Sequence, residues 1–122
     1  MKKITFVGTG YVGLVGGAGI SEFGHQVTCA DIDQNKIERL KAGEIPIYEP
    51  GLESLVKQNV AKGRLHFSHD VPESIQNADI IFVAVGTPQG SNGEANLSAI
   101  ESVAKTIGEN LNGYKIICTK SK

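Results

Sequence analysis

Ile4-Thr5-Phe6-Val7-Gly8-Thr9-Gly10-Tyr11-Val12-Gly13 decides the fold: an apolar run of strand length breaks into glycines spaced G-x-G-x-x-G. Ile4 to Val7 reads as a buried strand, and the glycine-rich stretch from Tyr11 to Phe23 as a helix ending at Gly24. The spacing alone says little; the strand before it and the helix after it separate a phosphate loop from an ordinary glycine turn. Gly8 permits the tight turn, Gly10 lets the backbone approach a pyrophosphate, and Gly13 lets helix and strand pack closely. Unpaired amides at the helix start, helped by the helix dipole, then face the phosphate charge.

Outward from that turn, strand-length apolar runs alternate with segments of helical period. Val27 to Ala30 predicts a second strand, and Asp33 caps a helix through Lys41 with Gly43 at its end. A further helix is expected from Gly51 to Ala61, stopping at Gly63, then a strand over Leu65 to Phe67 and a weak helix over Val71 to Gln76. Ile80-Ile81-Phe82-Val83-Ala84-Val85 is the clearest strand, and its unbroken apolarity predicts burial on both faces. A polar loop from Gly86 to Glu94 leads to a helix over Leu97 to Leu111 capped by Asn96, and Lys115 to Thr119 makes a fifth strand. The alternation predicts an α/β chain of Rossmann type, doubly wound, with a mostly parallel sheet ordered 3-2-1-4-5.

Asp31 ends the second strand, 18 positions after Gly13, where an acid can accept hydrogen bonds from the adenosine ribose of a dinucleotide. A carboxylate there repels a 2′-phosphate, so NAD is expected rather than NADP. Asp33 is better explained as a helix cap. Lys36, in the first turn of the next helix, is placed to reach the same ribose or the adenosine phosphate, and equally to be a solvated surface lysine. Gly86-Thr87-Pro88 leaves the fourth strand at the switch point, where doubly wound sheets bind ligands; a plain turn is the alternative. Gly16, Gly17 and Gly19 fall inside the first helix, each costing roughly 1 kcal/mol against alanine, and close packing on sheet or cofactor is the available justification.

The bulk properties exclude more than they assign. A chain of 122 residues, 40% hydrophobic, is the size of one domain with one core. Twelve basic against thirteen acidic residues leave a net charge of −1, with no basic footprint for nucleic acid. No apolar stretch reaches a membrane span of roughly 18 residues, and the start lacks a signal-peptide cleavage pattern, so a cytoplasmic protein is expected. Cys29 and Cys118 match no metal or redox spacing and read as small buried residues of strands; the three histidines build no metal site, and no metal is expected.

Several stretches carry a more specific likeness: GTGYVGLV (Gly8–Val15), ADID (Ala30–Asp33), GEIPIYEPGLE (Gly43–Glu53), ADIIFVAVGTP (Ala78–Pro88), GEANL (Gly93–Leu97) and LNGYKII (Leu111–Ile117). With these the chain resembles the UDP-glucose/GDP-mannose dehydrogenase family along essentially its whole length. IPIYEPGL and VAVGTP are far more specific than the glycines. The resemblance implies that Val12, Asp31, Lys36 and Thr87 are NAD contacts, beside Gly8, Gly10, Tyr11, Gly13, Gly86 and Pro88 of the two loops. It implies that Tyr48-Glu49-Pro50-Gly51 shapes the domain rather than performing chemistry. The implied reaction oxidises the C6 alcohol of UDP-glucose to a carboxylate with two NAD in succession, through a cysteine that attacks the intermediate aldehyde. In the family that cysteine, a lysine and the sugar-nucleotide pocket lie beyond residue 122.

The end reads Thr119-Lys120-Ser121-Lys122, where the family runs K-S-T-V-P, so a lysine stands where the resemblance implies a threonine reaching the cofactor. Residues 1–122 are therefore expected to be an NAD-binding domain truncated after the fifth strand. Such a chain should bind NAD, meet a UDP-sugar only as part of a full-length protein, turn nothing over alone, and be either marginally stable or self-associating through an exposed sheet edge. Two rival readings stand beside this one: a self-sufficient NAD-sensing module that regulates a partner, and a structural remnant that no longer binds the dinucleotide.

Overall fold

A computed structural model describes residues 2–85 and 98–119. Its elements run β1 (Lys3–Val7), α1 (Tyr11–Glu22), β2 (Gln26–Ala30), α2 (Gln34–Lys41), α3 (Leu52–Ala61), β3 (Leu65–Ser68), α4 (Val71–Gln76), β4 (Ile80–Val83), α5 (Ser98–Glu109) and β5 (Ile116–Thr119). The strands form one sheet ordered β3-β2-β1-β4-β5, and all four pairings are parallel. This is the expected Rossmann-type order, with the switch point between β1 and β4.

Strand residues alternate faces with a period of two, and the sheet divides what its size suggested would be a single core. Ile4 and Phe6 of β1, Val27 and Cys29 of β2, and Leu65 and Phe67 of β3 pack with α1, α2 and α3. Val7, Ala30, Ile81 and Val83 face the other way, against Val71 and Ile75 of α4 and Ile107 of α5. Helix α1 meets the sheet along Gly13, Leu14, Gly17, Ala18 and Ser21, a stripe of mostly small residues at helical spacing. Close packing on the sheet accounts for two of the three interior glycines. A β-carbon on Gly16 would press on the Phe6 ring and one on Gly17 on the Cys29 sulfur, whereas at Gly19 it would meet nothing within 4 Å.

Four expectations need correction. Strand β4 stops at Val83, not Val85, because β1 ends at Val7 and Gly8 turns away, so the ladder loses its partner after Ala84 N–H reaches the Val7 carbonyl at 2.8 Å. Only Ile81 and Val83 are buried; Ile80 and Phe82 are half-buried, with Phe82 stacked on Phe6 at 4.7 Å between ring centroids. Helix α5 ends at Glu109, two residues short of Leu111, because the Asn110 side chain turns back to donate to the Thr106 carbonyl. Cys118, expected to be buried, is half-buried because β5 is an edge strand in the described sheet. The expected Asn96 cap and the Lys120-Ser121-Lys122 end lie outside the described residues.

Candidate functional site

The turn after β1 is locked by its own backbone. Gly8 has φ +110°, a value that glycine adopts freely, and its N–H donates to the Ala30 carbonyl at 2.7 Å. A β-carbon there would also press on the Ala84 carbonyl, so the turn lies against the ends of both β2 and β4. Gly10, the N-cap of α1, is exposed and extended, and space around its missing β-carbon is open to 4 Å. Gly13 has a different reason from the expected one: a β-carbon would collide with the Gly8 carbonyl oxygen, so it serves the turn itself more than helix-on-strand packing.

The first amides of α1 have no acceptor within the helix, and no side chain caps it. An anion is the natural partner of such an end. The Val12 side chain packs against the α1 side of the core. Tyr11 is partly exposed and its hydroxyl donates to Glu49 Oε1 at 3.0 Å, tying the glycine turn to the Tyr48-Glu49-Pro50-Gly51 segment.

Asp31 stands across the turn from α1, half-buried beyond the end of β2. Its Oδ2 accepts from the Thr9 amide at 3.0 Å and the Thr9 hydroxyl at 2.7 Å, and its Oδ1 from the Asp33 amide at 3.0 Å. Burial by itself raises the Asp31 pKa, but the Asp33 amide, both Thr9 donors and the Lys36 charge together hold it below the usual value. The carboxylate is thus kept ionised. Asp33 caps α2, accepting from the Lys36 amide at 3.2 Å. The Lys36 side chain is exposed on the first turn of α2, close enough for its charge to act on Asp31.

Gly8 and Asp31 also border a cavity of about 290 Å³ at the carboxyl ends of the strands. Its remaining wall is mostly apolar and includes Ile32, Val71, Val85 and Val103. Ile32 is 86% exposed, an unusual position for a large aliphatic side chain beside a carboxylate. A slot of this kind, apolar with one acid at its rim, suits a flat base attached to a sugar. A second and larger cavity, about 390 Å³, is formed by residues 45–54 alone and contains neither the glycine turn nor Asp31.

Gly8, Gly10, Tyr11, Val12, Gly13, Asp31 and Lys36, the candidates read from the sequence, are thus gathered around one corner of the sheet. Gly86, Thr87 and Pro88 lie outside the described residues. Missed were Thr9, whose hydroxyl holds the acid, and the cavity wall from α4 and α5. Thr9 carried a usable signal, a hydroxyl residue inside the glycine turn; Val71 and Val103 carried none, because only the folded topology brings them there. Cys29 is no nucleophile: burial pushes its thiol up to about 12. Among the described residues no cluster of three His, Cys, Asp or Glu side chains is arranged to hold a metal, and no helix is long and apolar enough to cross a membrane.

A profile of the UDP-glucose/GDP-mannose dehydrogenase family, NAD binding domain, matches residues 2–122. The chain belongs to this family. It is 57% identical over 121 residues to the UDP-glucose 6-dehydrogenase TuaD of Bacillus subtilis, covering 99% of this chain and 26% of the relative. It is 49% identical over 120 residues to the UDP-glucose 6-dehydrogenase of Rhizobium meliloti, covering 98% and 28%. A solved UDP-glucose dehydrogenase from Pyrobaculum islandicum superposes with a TM-score of 0.94 at 35% identity, over 99% of this chain and 29% of that one. A GDP-mannose dehydrogenase from Pseudomonas aeruginosa, solved as a ternary complex, gives 0.92 at 35%, over 99% and 28%. The chain thus spans about a quarter of the length of these UDP-glucose and GDP-mannose dehydrogenases. NAD is the cofactor of this domain in the dehydrogenase family, and the open face of Gly10, the ionised Asp31 and the apolar slot fit it.

Proposed function

We propose that residues 1–122 act as one NAD-binding domain in which each part of the dinucleotide has a distinct holder. The amides of the Gly8–Gly13 turn take the pyrophosphate, with Gly10 leaving the approach open and Tyr11 and Val12 contributing from the first turn of α1. The Asp31 carboxylate accepts from the adenosine ribose, Lys36 adds a compensating positive charge beside it, and the cavity bordered by Ile32 and Val71 takes the adenine. Gly86, Thr87 and Pro88, which follow β4 in the sequence, are the remaining proposed NAD contacts. The observation that carries this reading is the juxtaposition of Asp31 and the glycine turn at the rim of one apolar slot.

Bound NAD supplies a hydride acceptor; the residues of this chain bind and orient it. In the longer protein the reaction served is the oxidation of UDP-glucose at C6 to UDP-glucuronate with two NAD, in the cytoplasm. The likeness to UDP-glucose 6-dehydrogenases supports that assignment, and the fraction of their length spanned here supports a chain that binds the coenzyme without turning over the sugar nucleotide. Calorimetric titration tests the first part: saturable binding of NAD, tighter than NADP, is expected, and no heat with either rejects the site. The second part is read at 340 nm, where UDP-glucose and NAD should give no NADH with the purified 122-residue chain; steady NADH production refutes it.

A further inference from the structure

Asp31 does not wait for its ligand with free oxygens. A carboxylate has about four acceptor positions, two on each oxygen. Among the described residues Oδ2 already receives two donors, the Thr9 amide and hydroxyl, and Oδ1 one, the Asp33 amide. One acceptor position remains, on Oδ1. The Asp31 amide is fixed as well, donating to the Ser68 carbonyl of β3 at 3.1 Å. Thr9 is only 3% exposed, so its hydroxyl meets the carboxylate from the protein interior.

Discrimination against a 2′-phosphorylated dinucleotide requires more than an acid in the right place. An unrestrained aspartate can rotate about its side-chain bonds, withdraw its charge and leave room for the phosphate. Here withdrawal would break two charge-assisted hydrogen bonds to Oδ2 at once. We propose that Thr9 is the positioning residue for coenzyme choice: its hydroxyl and amide clamp Oδ2 of Asp31, so that the negative charge stays facing the ribose and a 2′-phosphate is rejected. The inference rests on the reading of Asp31 as the ribose acid.

The test is calorimetric titration of the chain with NAD and with NADP, in the parent and in Thr9→Val, Thr9→Ser and Asp31→Asn, with circular dichroism to check folding. Thr9→Val removes the hydroxyl but keeps the shape, and the NAD-over-NADP preference should fall by about tenfold. Thr9→Ser should restore it, which a purely space-filling role for the threonine would not predict. Thr9→Ala carries the same expectation where Thr9→Val does not fold. A preference lost in Asp31→Asn but unchanged in folded Thr9→Val or Thr9→Ala, or equally lost in Thr9→Ser, overturns the role of Thr9 alone. A parent chain that binds neither coenzyme, or an Asp31→Asn chain with the parent preference, overturns the ribose-acid reading and this inference with it.

Discussion

A β-carbon added to Gly13 would fall on the carbonyl oxygen of Gly8, so the first and last glycines of the turn touch through backbone alone. No rotamer relieves that collision, because neither partner has a side chain to move. Gly13→Ala is therefore expected to destabilise the fold by about 1–3 kcal/mol, the usual range for overpacking, and to abolish NAD binding by opening the turn. Gly19→Ala, in the same helix but with nothing within 4 Å of the new carbon, should stabilise by up to about 1 kcal/mol through helix propensity. Urea unfolding of the two variants side by side checks both signs.

The Asp31 carboxylate gives a pH dependence with a definite sign. Its pKa is held below the ordinary 3.8 in the folded chain, so in the unfolded state the group binds protons more readily. Its contribution to stability is present above pH 3.8 and is lost as the pH falls from there through the lower folded value. Urea unfolding of the parent and of Asp31→Asn should accordingly show a gap at pH 6 that narrows at pH 3. An equal gap at both values would mean that the charge of Asp31 contributes no folding stability.

Most of this fold was legible because its signals are local and repeat. Gly24, Gly43 and Gly63, each with positive φ, stand where helices were expected to stop. Asp33 and Asp70 cap the helices that follow them, although only the first was read as a cap. What escaped depended on partners distant in sequence. The end of β4 is set by where β1 runs out of pairing residues, which the apolarity of Ala84 and Val85 conceals. In the site, Asp31 was readable from its distance to Gly13, but the donors that fill its oxygens were not. Thr9 occupies a position of the glycine fingerprint usually regarded as free, and its hydroxyl acquires a role only when β1 and β2 lie side by side.

The two cysteines should separate cleanly by reactivity. Cys29 is fully buried, its thiol pushed up to about 12 by desolvation, with its sulfur packed where a side chain on Gly17 would have to go. Cys118 is half-buried on β5. Titration with a disulfide exchange reagent at pH 8 should count one thiol per folded chain and two in urea. Cys118→Ser should remove the fast thiol and Cys29→Ser should leave it; two equally fast thiols in the folded chain would contradict the burial of Cys29.

Strand β5 presents the sheet edge that the sequence suggested would promote self-association. Among the described residues it pairs only with β4, and Ile116 and Ile117 are 45% and 46% exposed. Edge strands are commonly protected by an outward lysine, but Lys115 is engaged elsewhere: its ammonium donates to the carbonyls of Gln76 at 3.0 Å and Ala78 at 2.7 Å, closing the end of α4. Among the described residues the edge therefore combines backbone groups that have no strand partner with apolar side chains, and β5 itself carries no charge to repel a second copy. Sedimentation velocity of the 122-residue chain should show mass rising with concentration, and Ile116→Lys, which supplies the missing charge without touching α4, should shift it toward monomer. Because the association joins strands by hydrogen bonds and apolar contact, added salt should not dissolve it. A parent chain that stays monomeric across the same concentrations would show that this edge is protected by something other than the residues described.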